Sequence, residues 1–137
     1  MQVKIKRFDN DYGFEASNEA GKILTLDTGL AFGGHGQGFS PMQTLLAAIG
    51  GCSAIDIISI LKKQKQEIES FEMIVDGERE KGAIPAPFTS IHIVYHLKGN
   101  IDKEKAQRAA DLSIEKYCSV SVMLEKTAKI TYEVKIN

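Results

Sequence analysis

Residues 40–63, SPMQTLLAAIGGCSAIDIISILKK, decide how the chain is read. Ser40 suits the position just before a helix, Pro41 the first helical position, and Gln43 can reach back to complete a capping box. Between Leu45 and Leu61 the only charge is Asp56. Leu45, Ile49 and Cys52 fall on one face, while Leu46, Ile57 and Ile60 widen the apolar surface beyond the single stripe of a surface helix. The helix is therefore expected to be covered on most sides, as a core or interface element. It reads as too short, and too interrupted by Gly50-Gly51 and Asp56, to span a membrane. Lys62, Lys63 and Lys65 set positive charge at the negative end of its dipole.

Upstream of this helix the chain reads as a meander. Residues 2–8, 12–16 and 22–26 have strand character, separated by turns at Asp9-Asn10-Asp11 and Asn18-Glu19-Ala20-Gly21. Downstream, Phe71, Met73 and Val75 alternate with Glu72, Ile74 and Asp76 in a strand that runs to about Glu80, and Gly82, Pro85 and Pro87 mark a loop. Thr89 to Lys98 is a further strand with Ile91, Ile93, Tyr95 and Leu97 on one face. Asp102 can cap a second helix whose apolar stripe is Ala106, Ala109, Ala110, Ile114 and Tyr117. The chain breaks at Cys118-Ser119, makes a short helix to about Lys126, and ends in a strand with Ile130, Tyr132, Val134 and Ile136 facing inward. Partly segregated strands and helices point to an α+β fold with a mainly antiparallel sheet, in one domain spanning 1–137.

At 137 residues such a domain can bury roughly two thirds of its unfolded surface. A net charge of -1, without a basic block, lacks the footprint of a nucleic-acid binder. The first ten residues alternate as a strand and carry no apolar leader core, so a cytoplasmic location is expected. In that reducing compartment two cysteines are more often free, catalytic or redox-sensing than a permanent bridge.

The glycine-rich run GGHGQGF, residues 33–39, lacks both a Walker Gly-Lys-Ser/Thr and a G-x-G-x-x-G within a βαβ unit, so it reads as a flexible lead-in to the capped helix. His92 and His96, four apart on a strand, stand roughly 13 Å from each other and cannot share one ion. No metal and no cofactor are expected. His35 is expected at the surface. Asp56, one turn after Cys52 on nearly the same face, would oppose a thiolate there, and is expected to pair with a Lys or Arg of another element. Cys52 lies three turns beyond the helix cap, out of reach of its dipole. Cys118, at the start of the short helix, is better placed to be favoured as thiolate by amide N–H groups. Taken alone, an isolated buried cysteine such as Cys52 reads first as a small hydrophobe.

The capped Ser-Pro helix with Cys52 eleven residues after Pro41, followed far downstream by K-Y-C-S-V-S at 116–121, resembles the OsmC/Ohr family of thiol-dependent peroxidases, and within it the YhfA-like branch. The resemblance implies an intertwined homodimer with two long central helices in the middle and sheets wrapped outside. It also implies Cys52 as the thiolate that attacks an organic hydroperoxide, Cys118 as the thiol that condenses with the resulting sulfenic acid, and a dithiol as reductant. The peroxidase branches carry a glutamate directly after the proline and an arginine before the helix; here Met42 follows Pro41, and the only arginines are Arg7, Arg79 and Arg108. A cation for the thiolate is therefore expected from Arg7 or Arg79, from His35, or from a lysine. The rival reading is a non-enzymatic member of the fold that binds a small apolar or thiol-reactive ligand at the dimer interface, or serves as a redox sensor.

Overall fold

The cap of the long helix forms as its sequence predicts. Gln43 N–H donates to Ser40 Oγ at 3.2 Å, and Ser40 N–H donates back to Gln43 Oε1 at 2.9 Å. In the computed structural model, which describes all 137 residues, this helix, α1, runs Pro41–Lys63. Its far end is closed by Gln66 N–H donating to Leu61 O at 3.0 Å, with Lys65 in the left-handed region at φ 57°.

The backbone forms two compact units, Met1–Leu45 and Leu46–Asn137. In the first, β1 (Val3–Arg7), β2 (Phe14–Asn18) and β3 (Ile23–Leu26) make an antiparallel meander. In the second, β4 (Glu67–Arg79) pairs antiparallel with β5 (Phe88–Asn100), and β5 pairs parallel with β6 (Lys129–Ile136), Ile91 opposite Ile130 and Leu97 opposite Ile136. The fold is thus α+β with mainly antiparallel sheets. The parallel pair is the exception, and it requires a crossover, which α2 (Lys103–Leu112) and α3 (Ser119–Leu124) provide.

Alternation along β5 builds the core of the second unit: Ile91, Ile93, Tyr95 and Leu97 are fully buried or nearly so. Ile49, Ile57 and Leu61 of α1 are fully buried too, each stabilising by roughly 1.5–3 kcal/mol. Two glycines allow the close approach of α1 to β4. A Cβ on Gly50 would sit 3.2 Å from Met73 Sδ and Val75 Cγ2, and one on Gly77 would sit 2.5 Å from the Phe88 ring and 2.9 Å from Leu46 Cδ2. Gly77→Ala is accordingly expected to cost about 1–3 kcal/mol, read from the urea midpoint.

One expectation about helices is met in part and two need correction. First, one face of α1 is buried by its own chain, while Leu45, Ala48, Gly51 and Ile55 are exposed, Ile55 at 70%, so its own chain covers one side only. An apolar composition reports what the helix needs covered, not what its own chain covers. Second, its 23 residues are long and apolar enough to cross a bilayer, so shortness is no argument; the argument for a core helix is the packing of its buried face on the sheet. Third, Tyr117 is 51% exposed and leaves the stripe of Ala106, Ala109, Ala110 and Ile114. The cause is a wide turn over Ser113–Tyr117, where Cys118 N–H donates to Ser113 O, five residues back, at 2.7 Å. The extra residue in that turn rotates Tyr117 outward.

Candidate functional site

In the second unit the two cysteines, from distant parts of the chain, come together. Cys52 is half-buried in α1 and Cys118 is fully buried at the cap of α3, both as free thiols and near enough for Cys52 to bear on the ionisation of Cys118. Local structure explains each position. Cys52 borders the exposed stripe of α1, between Gly51 and Ile55. Cys118 stands where the wide turn stops, its sulfur accepting Ser121 N–H at 3.3 Å as the cap of α3.

A buried polar network surrounds the pair. Tyr95 O–H donates to Ser53 Oγ at 2.8 Å, and Ser53 O–H donates to Gly50 O at 3.1 Å. Ser113 Oγ lies 2.9 Å from Asp56 Oδ2 and 3.3 Å from Ser53 O, donating to both acceptors with the carboxylate the closer. Ser121 O–H donates to Ile114 O at 3.1 Å. Ser53, Ser113 and Ser121 are all fully buried, as is Tyr95. Asp56 is half-buried and takes a hydroxyl, where a Lys or Arg partner was expected. Water can solvate its remaining lone pairs, so no buried counter-ion is needed.

Electrostatics here oppose ionisation. Burial pushes the Cys118 thiol up to about 11, and the neighbouring Cys52 adds to the rise, against the Ser121 and Val120 N–H groups that favour the thiolate. The expectation that helix-start amides would activate Cys118 fails on magnitude: loss of water outweighs two amides. Burial likewise raises Tyr95 to about 12. The influences that act most strongly on Cys118 are burial, the Ser121 and Val120 amides and Cys52, none of them a cation. The two arginines expected as candidates are tied to their own loops. Arg7 Nε donates to Asp11 O at 2.9 Å, its terminal nitrogen also bonds Asn10 O, and Arg79 Nε donates to Ala86 O at 2.8 Å. Gln43, beside Met42, is spent on the cap.

Sequence reasoning missed Tyr95, Ser53, Ser113 and Ser121. A signal existed for Tyr95, since a buried tyrosine hydroxyl usually finds a partner. Ser53 stood out less, as one hydroxyl in an apolar run.

The glycine-rich loop of the first unit is organised about a carboxylate of its own. Asp27, 3% exposed, accepts from the Thr28, His35 and Gln37 amides at 2.7, 3.2 and 3.1 Å. Those amides are the donors a phosphate would need, which is a physical ground against a phosphate site. Burial pushes Asp27 up, but the Gln37, Thr28 and His35 N–H groups more than offset it and hold it below the usual carboxylate value. Asp9 is lowered by the same balance, burial against the Gly13 and Asp11 N–H groups. His35 is exposed, and its hydrogen bond to Asp11 at 2.6 Å raises it above 6.5.

The signs give a window for the loop. Depressed carboxylates stabilise above their ordinary value near 3.8 and stop doing so as pH falls through the depressed one. The raised imidazole stabilises below 6.5 and stops as pH rises through its folded value. NMR should find the His35 and Gln37 amide shifts constant between about pH 4 and 6.5, changing below, and the His35 ring titrating above 6.5. A ring that titrates at or below 6.5 would contradict the Asp11 pairing.

The family model described as OsmC-like protein matches residues 34–133, which contain both cysteines and all of α1. The chain belongs to the OsmC-like family. Over 98 residues, 71% of this chain and 72% of the relative, it is 46% identical to Protein YhfA of Escherichia coli strain K12. Among solved structures it is similar to a hypothetical protein from Aquifex aeolicus VF5, with TM-score 0.82 and 31% identity over 99% of this chain and 96% of the other. It also shares its fold with the organic hydroperoxide resistance protein OhrB of Bacillus subtilis, with TM-score 0.65 and 19% identity over 98% of each chain. At 19% identity that last likeness is one of fold alone. The recognised OsmC-like pattern and the α+β fold are thus both established for this chain, and some members of its fold are organic hydroperoxide resistance proteins.

Proposed function

We propose that this chain is a cytoplasmic, thiol-dependent reductase of organic hydroperoxides, acting as a homodimer of a single OsmC-like domain spanning 1–137. The observation that carries the reading is the meeting of Cys52 and Cys118 as free thiols. In the proposed cycle the Cys52 thiolate attacks the distal oxygen of ROOH. The O–O bond breaks, ROH leaves once its oxygen takes a proton, and Cys52 becomes a sulfenic acid. Cys118 sulfur then attacks Cys52 sulfur, the S–O bond breaks, and water departs as the disulfide forms. A dithiol opens that bridge by two exchange steps and leaves as its own disulfide.

The division of labour follows exposure. Cys52 is the reachable sulfur and Cys118 is sealed, so peroxide meets Cys52 first. An alkyl tail suits the apolar run of α1 on either side of Cys52. The uncovered stripe Leu45, Ala48, Gly51 and Ile55 supports the homodimer, since a second copy of α1 would cover it around a two-fold axis. The test is steady-state consumption of an alkyl hydroperoxide with a dithiol as reductant. Turnover supports the reading. Hydroperoxide that persists over unmodified thiols would favour a ligand-binding member of the fold, for which the burial that raises Cys118 to about 11 is the supporting observation.

A further inference from the structure

The network around the thiols converges on one hydroxyl and one carbonyl of the same residue. Ser113 reaches α1 through its side chain, at Asp56 Oδ2 and Ser53 O, and holds Cys118 through its backbone, whose carbonyl accepts Cys118 N–H at 2.7 Å. Ser53, on the α1 side, directly follows Cys52 and is held from the sheet by Tyr95. One sulfur is therefore fixed relative to the other by an unbroken set of buried hydrogen bonds: Tyr95 to Ser53, Ser53 to Ser113, Ser113 to Cys118. A plain helical turn at Ser113–Tyr117 would not present this carbonyl to Cys118, because its bonds run four residues back rather than five.

We propose that Ser113 is a positioning residue of the thiol pair, with Tyr95 as its counterpart on the sheet side, and that together they set the approach of Cys118 to Cys52 for disulfide closure. Disulfide geometry gives this its force. Sulfurs bond only at a narrow separation and dihedral, so a small drift of the wide turn away from α1 lowers the effective concentration of one thiol at the other. Ser113 gives its hydroxyl to Asp56 and Ser53 and its carbonyl to the Cys118 amide, and its effect falls on closure. The inference rests on the paired-thiol site proposed above, but not on peroxide chemistry.

The experiment is equilibration of the full-length protein in glutathione buffers of graded ratio. Two Cys thiols and one oxidised glutathione give the Cys52–Cys118 bridge and two reduced glutathiones, read by alkylation and mass spectrometry. Ser113→Ala is expected to lower the equilibrium constant for closure about tenfold, a rise in midpoint potential of about 30 mV. Tyr95→Phe, which keeps the ring and loses the hydroxyl, is expected to shift it in the same direction. Gly77→Ala, destabilised at its contacts with Phe88 and Leu46 and outside the hydrogen-bonded set, serves as the control for stability loss and is expected to keep the wild-type midpoint. Should Ser113→Ala be too unstable to titrate, Tyr95→Phe alone decides. Variants titrating with the wild type, or shifted no further than Gly77→Ala, overturn the inference, as does a wild-type pair that stays reduced at every ratio. Failure of the peroxidase reading looks different: the bridge forms in glutathione while alkyl hydroperoxide leaves Cys52 unoxidised.

Discussion

Cys118→Ser is expected to stop the cycle at a sulfenic acid on Cys52, and Cys52→Ser to stop it before any oxidation occurs. Either substitution should lower dithiol-driven turnover by on the order of 10³-fold or more, the scale on which loss of a nucleophile acts in other enzymes. The two losses differ in kind. With Cys118→Ser, a stoichiometric alkyl hydroperoxide should still be consumed once, and a sulfenic-acid probe should label Cys52. With Cys52→Ser, the buried Cys118 should remain a thiol, because it is fully enclosed and its thiolate is suppressed to about pH 11. The same suppression predicts the pH dependence of the wild type. Closure needs the Cys118 thiolate, a minor species at neutral pH, so its rate should climb about tenfold per pH unit toward 11. A flat profile would mean that another base takes the Cys118 proton.

Ile55→Glu is expected to break the proposed dimer. Ile55 is 70% exposed in the single chain, at the C-terminal end of the uncovered apolar stripe Leu45, Ala48, Gly51 and Ile55. Placing a carboxylate there would cost little in a monomer and about 3–5 kcal/mol in a dry interface with no partner for the charge. That is two to four orders of magnitude in Kd. Sedimentation velocity should show the wild type at dimer mass and Ile55→Glu shifted to monomer over micromolar concentrations, with circular dichroism reporting the helix retained or lost. A wild-type chain that sediments as a monomer, or a variant that dimerises equally well, would leave the exposed stripe without its proposed cover.

What the sequence made legible was local. The capping box at Ser40, the Asp102 cap and the alternation of Ile91 to Leu97 are each decided within a few residues, and each stands in the structure. The meander was legible for the same reason. The parallel register of β6 was not, because nothing in Lys129–Ile136 says which neighbour it will join. Nor was the wide turn at Ser113, whose fifth-residue hydrogen bond trades against the fourth-residue bond of an ordinary helix by a margin too small for composition to reveal.

At the site, the residues alone gave two buried thiols, and only the family resemblance brought them together. Asp56 was recognised as a carboxylate in want of a partner, but choosing a hydroxyl over a cation depends on the element that packs beside it. Tyr95 was read as apolar because its position on the strand is; its hydroxyl mattered only once Ser53 was seen beneath it. The expected activating cation is the largest gap. Arg7 and Arg79 are each held by backbone carbonyls of their own hairpins.

Peptide mass spectrometry of wild-type protein treated with one equivalent of an alkyl hydroperoxide is decisive for the paired thiols. A Cys52–Cys118 cross-linked peptide is expected, intrachain and reversed by a dithiol. Two free thiols after such treatment, or a bridge joining Cys52 to anything but Cys118, would contradict it.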